Sequence, residues 1–289
     1  MNDVIADKLK TYGCETSEDL ENALKEITQE VVLYALSNTD FFEKASFQGG
    51  TCLRVVHHLD RFSEDLDFVL NEPNPDFELA PYLDVVVNIM EVYGYRIEIS
   101  GKDKANNNIK TRFLKDDSIL KIVNLEHYSN TRKKIRIKLE LDTNPPFGAK
   151  EETKYLDFPI DYSILTQNLP SLLAGKCHAL LCRNFVKGRD WYDYCWYVAK
   201  GTTLNFNLLE HAIDQHGPWK NQNISLTHEW LKEKLIKKIY SLHWEDVKKD
   251  VSRFLKPEKQ KTLDLWNKEF FRQKTEKFIH NQETSTKQE

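Results

Sequence analysis

The apolar positions of residues 17–38, SEDLENALKEITQEVVLYALSN, recur at helical spacing behind a Ser17 N-cap followed by acids, and predict an amphipathic helix that Asn38-Thr39-Asp40 ends. The period then shortens. Phe47 to Thr51 reads as a short strand entering a glycine turn, residues 52–59 as a helix leaving it, and Ser63 to Leu70 as a strand with acids on one face and apolar side chains on the other. After a break at Asn71-Glu72-Pro73-Asn74-Pro75, helical spacing returns over 79–92 and a strand follows at Tyr95 to Ser100. Gly101 to Asn108, rich in lysine and asparagine, is expected to be an exposed loop. Lys134 to Asp142 alternates strictly until Asn144-Pro145-Pro146 stops it. From about Pro170 the pattern is helical throughout, at 172–181, at 191–198 and at Leu231, Leu235, Ile239 and Leu242, and the polar end from Gln282 onward is expected to fray. No internal repeat is present. The pattern predicts an α+β protein, with a mixed-sheet domain over 1–165 and an all-α domain over 166–289.

Composition narrows the function classes. The start, MNDVIADKLKTYGCETSEDL, lacks the apolar core of a secretory signal, and no stretch approaches the ~18 apolar residues of a membrane span, so a cytoplasmic protein is expected. Cys14, Cys52, Cys177, Cys182 and Cys195 fall in no paired spacing that holds zinc or exchanges disulfides, and read as reduced thiols. A net charge of -4 gives no global attraction to nucleic acid, so an RNA contact has to come from a local patch. Residues 232–261 offer one: Lys232, Lys234, Lys237, Lys238, Lys248, Lys249, Arg253, Lys256, Lys259 and Lys261, interleaved with Trp230, Tyr240 and Trp244. That stretch is either a solvated helix surface or a face that tracks a phosphate backbone.

The densest chemistry lies in residues 47–70, FQGGTCLRVVHHLDRFSEDLDFVL. Residues two apart on a strand point the same way, so Asp65 and Asp67 are placed to converge on one metal or on two about 4 Å apart. Their hard oxygens suit Mg²⁺, with Mn²⁺ as the alternative, completed by water and phosphate oxygens. Gly49 and Gly50 let backbone N–H groups approach phosphates closely. Alone, an Asp-x-Asp strand is usually a solvated face and a Gly-Gly turn an ordinary turn; at this spacing they suggest a grip on a metal-bound triphosphate. Arg61 either binds phosphate or pairs with Asp65, and Ser63 either joins it or positions the turn. His57 and His58 read as helix-face residues, since Mg²⁺ prefers oxygen.

Gly49-Gly50-Thr51 with Leu53-Arg54, then Arg61-x-Ser63-x-Asp65-Leu66-Asp67-Phe68, then Lys176 in a helix and Gly188-Arg189-Asp190-Trp191-Tyr192-Asp193, together resemble the signature of the AbiEii/AbiGii toxin family. That family belongs to the DNA polymerase β-like nucleotidyltransferase superfamily and includes the MenT toxins; the matching residues span about 47 to 198. The resemblance implies a metal-dependent enzyme that moves an NMP from an NTP to an acceptor hydroxyl, releasing pyrophosphate. Asp65 and Asp67 would ligate Mg²⁺, and Gly49, Gly50, Thr51, Arg61 and Ser63 would surround the phosphates. Lys176 would offset triphosphate charge, and Asp190 would complete the nucleotide site from the helical domain. It also implies a third carboxylate from a neighbouring strand, with Glu140 preferred to Asp142, which lies beside the Asn144-Pro145-Pro146 break and suits a turn cap. Without the family, Lys176 reads equally well as a solvated helix lysine, and Asp190 and Asp193 as partners of Arg189 or of a helix N-terminus. MenT-like relatives imply the 3′ end of tRNA as acceptor, and the family implies a cognate AbiEi-type antitoxin. Two readings compete: transfer to a small molecule or protein hydroxyl, and an inactive relative that only binds nucleotide or RNA.

Overall fold

Thr16, not Ser17, caps the first long helix. In the computed structural model, which describes residues 2–101, 108–119 and 134–286, its hydroxyl accepts from the Asp19 N–H while the Asp19 carboxylate accepts from the Thr16 N–H, satisfying two helix-end donors reciprocally. A short helix absent from the sequence expectations, α1 (Asn2–Lys10), precedes this one, α2 (Ser17–Ser37). The chain divides into two compact units, one of Met1–Pro145 with Glu152–Thr166, the other of Pro146–Glu151 with Gln167–Glu289. Among the described residues all five cysteines are free, and no helix is long and apolar enough to cross a membrane.

The first unit is built on a mixed seven-stranded sheet flanked by α3 (Phe41–Lys44), α4 (Gly49–Val55) and α5 (Ala80–Val92). Its strands are β1 (Ala45–Gln48), β2 (Asp65–Leu70), β3 (Ile97–Ser100), β4 (Ile109–Asp116), β5 (Ile135–Asp142), β6 (Glu151–Leu156) and β7 (Tyr162–Gln167), in the order β3-β4-β5-β2-β1-β7-β6. β2 lies antiparallel to β1 and parallel to β5. Alternation sorts the two faces. Leu66, Phe68, Leu139 and Leu141 point into the core, where α2 contributes Leu24, Ile27, Val31 and Leu36, each burial stabilising by roughly 1.5–3 kcal/mol. Phe68 meets Phe41 edge-on at 5.0 Å and lies beside its ladder partner Phe47 at 5.3 Å. The helix expected over 52–59 instead starts at Gly49 and ends at Val55, so His57 and His58 fall in the following turn, His58 with a left-handed φ of 59°. Residues 102–107 of the expected lysine- and asparagine-rich loop lie outside the described residues.

Near the C-terminal end of α4 the same unit has an open cleft of about 750 Å³, lined by Lys8, Glu26, Glu30, Arg54, Tyr155 and Asp157 among others. Glu30 is buried, its carboxylate 3.2 Å from Lys8 Nζ. Burial raises its pKa, Lys8 lowers it, and Glu26 one turn away and Asp157 raise it again, leaving it pushed up to about 7. Against the ordinary 4.5, the folded state therefore holds an extra proton between about pH 4.5 and 7, and this group lowers stability as pH rises through that window. The change is on the order of 3 kcal/mol. Glu30→Gln removes it: the variant should gain stability relative to the parent between pH 5 and pH 8, read as melting temperature at the two pH values. A difference that does not change with pH would show that Glu30 stays charged throughout.

The second unit is helical: α6 (Leu169–Cys182), α7 (Gly188–Lys200), α8 (Phe206–Gln215), α9 (His228–Ser241), α10 (Trp244–Ser252), α11 (Pro257–Gln260) and α12 (Lys268–Thr286). Leu231, Leu235 and Ile239 are fully buried, as the helical repeat predicts. Trp244 stacks on Phe271 at 4.2 Å, and Trp191 packs edge-on against both. This corrects the interleaved basic and aromatic face, since Trp244 belongs to the core. α7 starts tightly against α10: a Cβ on Gly188 would lie 2.0 Å from the Val247 carbonyl oxygen, and the Gly188 N–H donates to the Asp250 carboxylate at 2.7 Å. Gln282, expected to fray, is instead buried. Its amide accepts from the Leu204 N–H at 2.7 Å and donates to the Thr202 carbonyl at 3.0 Å, anchoring α12.

Candidate active site

β2 begins at Asp65, so Asp65 and Asp67 share the face opposite the core, both half-buried. The ladder sets Asp67 between Gln48 of β1 and Glu140 of β5, and Asp65 beside Lys138. Glu140 thus stands next to Asp67, but its carboxylate is engaged: Lys138 Nζ lies 2.7 Å away and the Thr111 hydroxyl donates at 3.4 Å. Asp142 accepts the Asn144 N–H at 2.9 Å and caps the turn. Among the described residues no three His, Cys, Asp or Glu side chains converge as a metal cluster.

The glycine turn lies directly against this face. Gly49 has a φ of +79°, a conformation L side chains rarely adopt, and a Cβ there would lie 2.2 Å from Asp67 Oδ2. A Cβ on Gly50 would lie 2.7 Å from Arg61 Nη2 and 2.8 Å from Ser63 Oγ. Gly49, Gly50, Arg61, Ser63 and Asp67 are therefore brought together around a stretch of bare main chain. Arg61 is 2% exposed, and its Nη1 donates to the Phe62 carbonyl at 2.9 Å, so its charge is fixed beneath the turn. Thr51 is fully buried and its hydroxyl donates to the Asp65 carbonyl, tying α4 to β2. Arg54 binds Glu26 at 2.7 Å and the Leu59 carbonyl at 2.9 Å, holding the link that carries the chain from α4 back toward β2.

In the helical unit, Lys176 on α6 lies 2.8 Å from both Asp190 and Asp193 of α7. The two acids are three residues apart and so share one helix face. Asp190 is 3% exposed and also binds Arg183. Burial works to raise its pKa, but the Lys176, Arg183 and Lys187 charges outweigh that and hold it at about 2, so it is ionised at any physiological pH. Asp193 as a second carboxylate on Lys176, and Arg183 and Lys187 as further cations, were not anticipated. The signals were the spacing of Asp190 and Asp193 and the two bases in the five-residue link between the helices.

A family model, the nucleotidyl transferase AbiEii toxin of type IV toxin–antitoxin systems, matches residues 31–273. Among solved structures, the chain is similar to MenT4, a nucleotidyltransferase toxin from Mycobacterium tuberculosis H37Rv, at 15% identity over 91% of this chain and 97% of that one, with a TM-score of 0.50. It is also similar to JHP933 from Helicobacter pylori, at 15% identity over 92% and 95% of the two chains, with a TM-score of 0.48. No curated protein matches the chain. The family match extends from within α2, through the acidic strand and the glycine turn, past the Lys176 cluster and into α12, so the chain belongs to the AbiEii family of toxins and is a nucleotidyltransferase.

Proposed function

We propose that the protein moves a nucleoside monophosphate from an NTP to the 3′ end of an RNA, tRNA foremost, in the cytoplasm, as the toxin of a pair completed by an AbiEi-type antitoxin. The observation that carries this is the side-chain-free Gly49-Gly50 turn packed against Asp67, beside Asp65 on the same strand face. Two hard carboxylates next to bare main chain leave room for phosphate oxygens, the donor set Mg²⁺ takes. Asp65 and Asp67 would hold the ion, which when bound supplies Lewis-acid polarisation of the α-phosphate and a lower pKa for the acceptor hydroxyl. The chain's own groups do the rest by position and charge. Main-chain N–H groups of Gly49 and Gly50 receive phosphate oxygens above the fixed Arg61 charge, with Ser63 alongside. Thr51 contributes through its main chain, its hydroxyl donating to the Asp65 carbonyl. Glu140 serves as a third ligand only by exchanging Lys138 for the metal. Lys176, held by two carboxylates, is an oriented ammonium for triphosphate charge, and Asp190 is the anion that holds it.

The test is incubation of purified protein with Mg²⁺, each α-labelled NTP in turn and total cellular RNA. Label should enter tRNA-sized RNA from a preferred NTP and disappear with EDTA. Turnover of NTP with RNA left unlabelled would move the acceptor to a small molecule or protein; label that survives EDTA would remove the metal from the scheme.

A further inference from the structure

The link between α6 and α7, Arg183-Asn184-Phe185-Val186-Lys187, presents an aromatic ring between two cations and contains no acid. Phe185 is 65% exposed, although Trp191, Tyr194 and Trp244 of the same unit are buried. The ring therefore offers an open π-face at the surface of this unit. Its surroundings are positive. The Arg183 guanidinium lies 5.7 Å from the ring centroid, anchored from behind by buried Asp190, and the Arg183 carbonyl accepts from Lys238 Nζ at 2.7 Å. The Lys187 pKa is lowered by burial and by the Arg189, Arg183 and Lys176 charges, with Asp190 acting against them.

We infer that the 183–187 link is the platform for the acceptor RNA's unpaired end, with Phe185 stacking on a base while Arg183 and Lys187 neutralise the adjacent phosphates. This rests on the RNA-acceptor reading above. Aromatic rings interleaved with cations are how proteins hold single strands, each base having a π-face for the ring and a phosphate for the charge. Arg183 meets the phosphate directly, held in place by Asp190, whose carboxylate also binds Lys176.

The test is the Kd for tRNA, by anisotropy of a 5′-labelled total tRNA pool, with intact 3′ ends or with the terminal base removed. Phe185→Ala should weaken binding of intact tRNA about tenfold, and Phe185→Trp should restore it. Removing the terminal base should cost the parent protein about the same factor and Phe185→Ala little more. The KM for NTP should stay unchanged. Equal binding by Phe185→Ala and the parent, equal losses on base removal in both proteins, or a shift in the NTP KM instead would each overturn the platform while leaving the acceptor reading intact. Failure of the parent protein to bind or label tRNA would overturn both.

Discussion

Asp67→Asn should transfer nucleotide about 10³-fold more slowly than the parent while melting within a few degrees of it. Asparagine keeps the shape that packs under Gly49, so the turn and the β1–β2–β5 ladder persist; what goes is the charge that a divalent ion needs. Asp65→Asn should behave alike, because Thr51 binds the Asp65 carbonyl, not its carboxylate, and that tie survives the substitution. The measurement is the initial rate of label transfer beside a thermal melt of the same preparation. If either variant keeps more than a tenth of the parental rate, the metal is not held on β2.

Gly49→Ala is expected to be the second most damaging change, about 10²-fold in rate, for a different reason. Its new methyl would stand 2.2 Å from a carboxylate oxygen of Asp67, and the turn cannot rotate away without giving up a φ of +79°. The φ strain itself costs roughly 1–2 kcal/mol, while the displacement of Asp67 falls on catalysis. Gly13→Ala separates the two: Gly13 has a φ of +56° and nothing within 4 Å of its would-be Cβ, so it reports strain alone. A Gly49→Ala protein that loses stability to the same degree as Gly13→Ala yet keeps full activity would show that the contact with Asp67 is not part of the working site.

The elements legible in the sequence are those with one wet face and one dry one. α2, β2 and β5 each alternate at their own period because each separates the core from solvent, and β2 and β5 carry Asp65, Asp67 and Glu140 for the same reason. Of the three strands that sequence reasoning missed, β7 has that contrast over its first residues, with Tyr162 and Ile164 buried about exposed Ser163, but β4 and β6 lack it. β4 carries Lys110, Arg112 and Lys115 with Leu114 and Asp116 as its buried side chains, and β6, at the sheet edge, is Glu-Glu-Thr-Lys-Tyr-Leu with no buried residue. At the site, the acidic pair and the glycine turn were visible because short-range spacing fixes them. The burial of Arg61, the inward hydroxyl of Thr51 and the Lys138–Glu140 pair were not, since each depends on which strands become neighbours. Asp193 was visible as a residue but not as a partner of Lys176, because that contact joins two helices across a link of five residues.

The strand order also bears on how the toxin comes into being. β2 leaves the ribosome early, yet its parallel neighbour β5 is encoded some seventy residues later, and β1 waits for Thr166 of β7. Vectorial synthesis therefore delivers Asp65 and Asp67 soon after β1 but long before β5, the other neighbour of β2, and pairings of this separation are slow to close. A nascent chain halted before Ile135 carries both aspartates with no Glu140 or Lys138 beside them. The host cell thus meets the assembled acidic face only in the later part of translation, so a stalled or truncated product of the message lacks it.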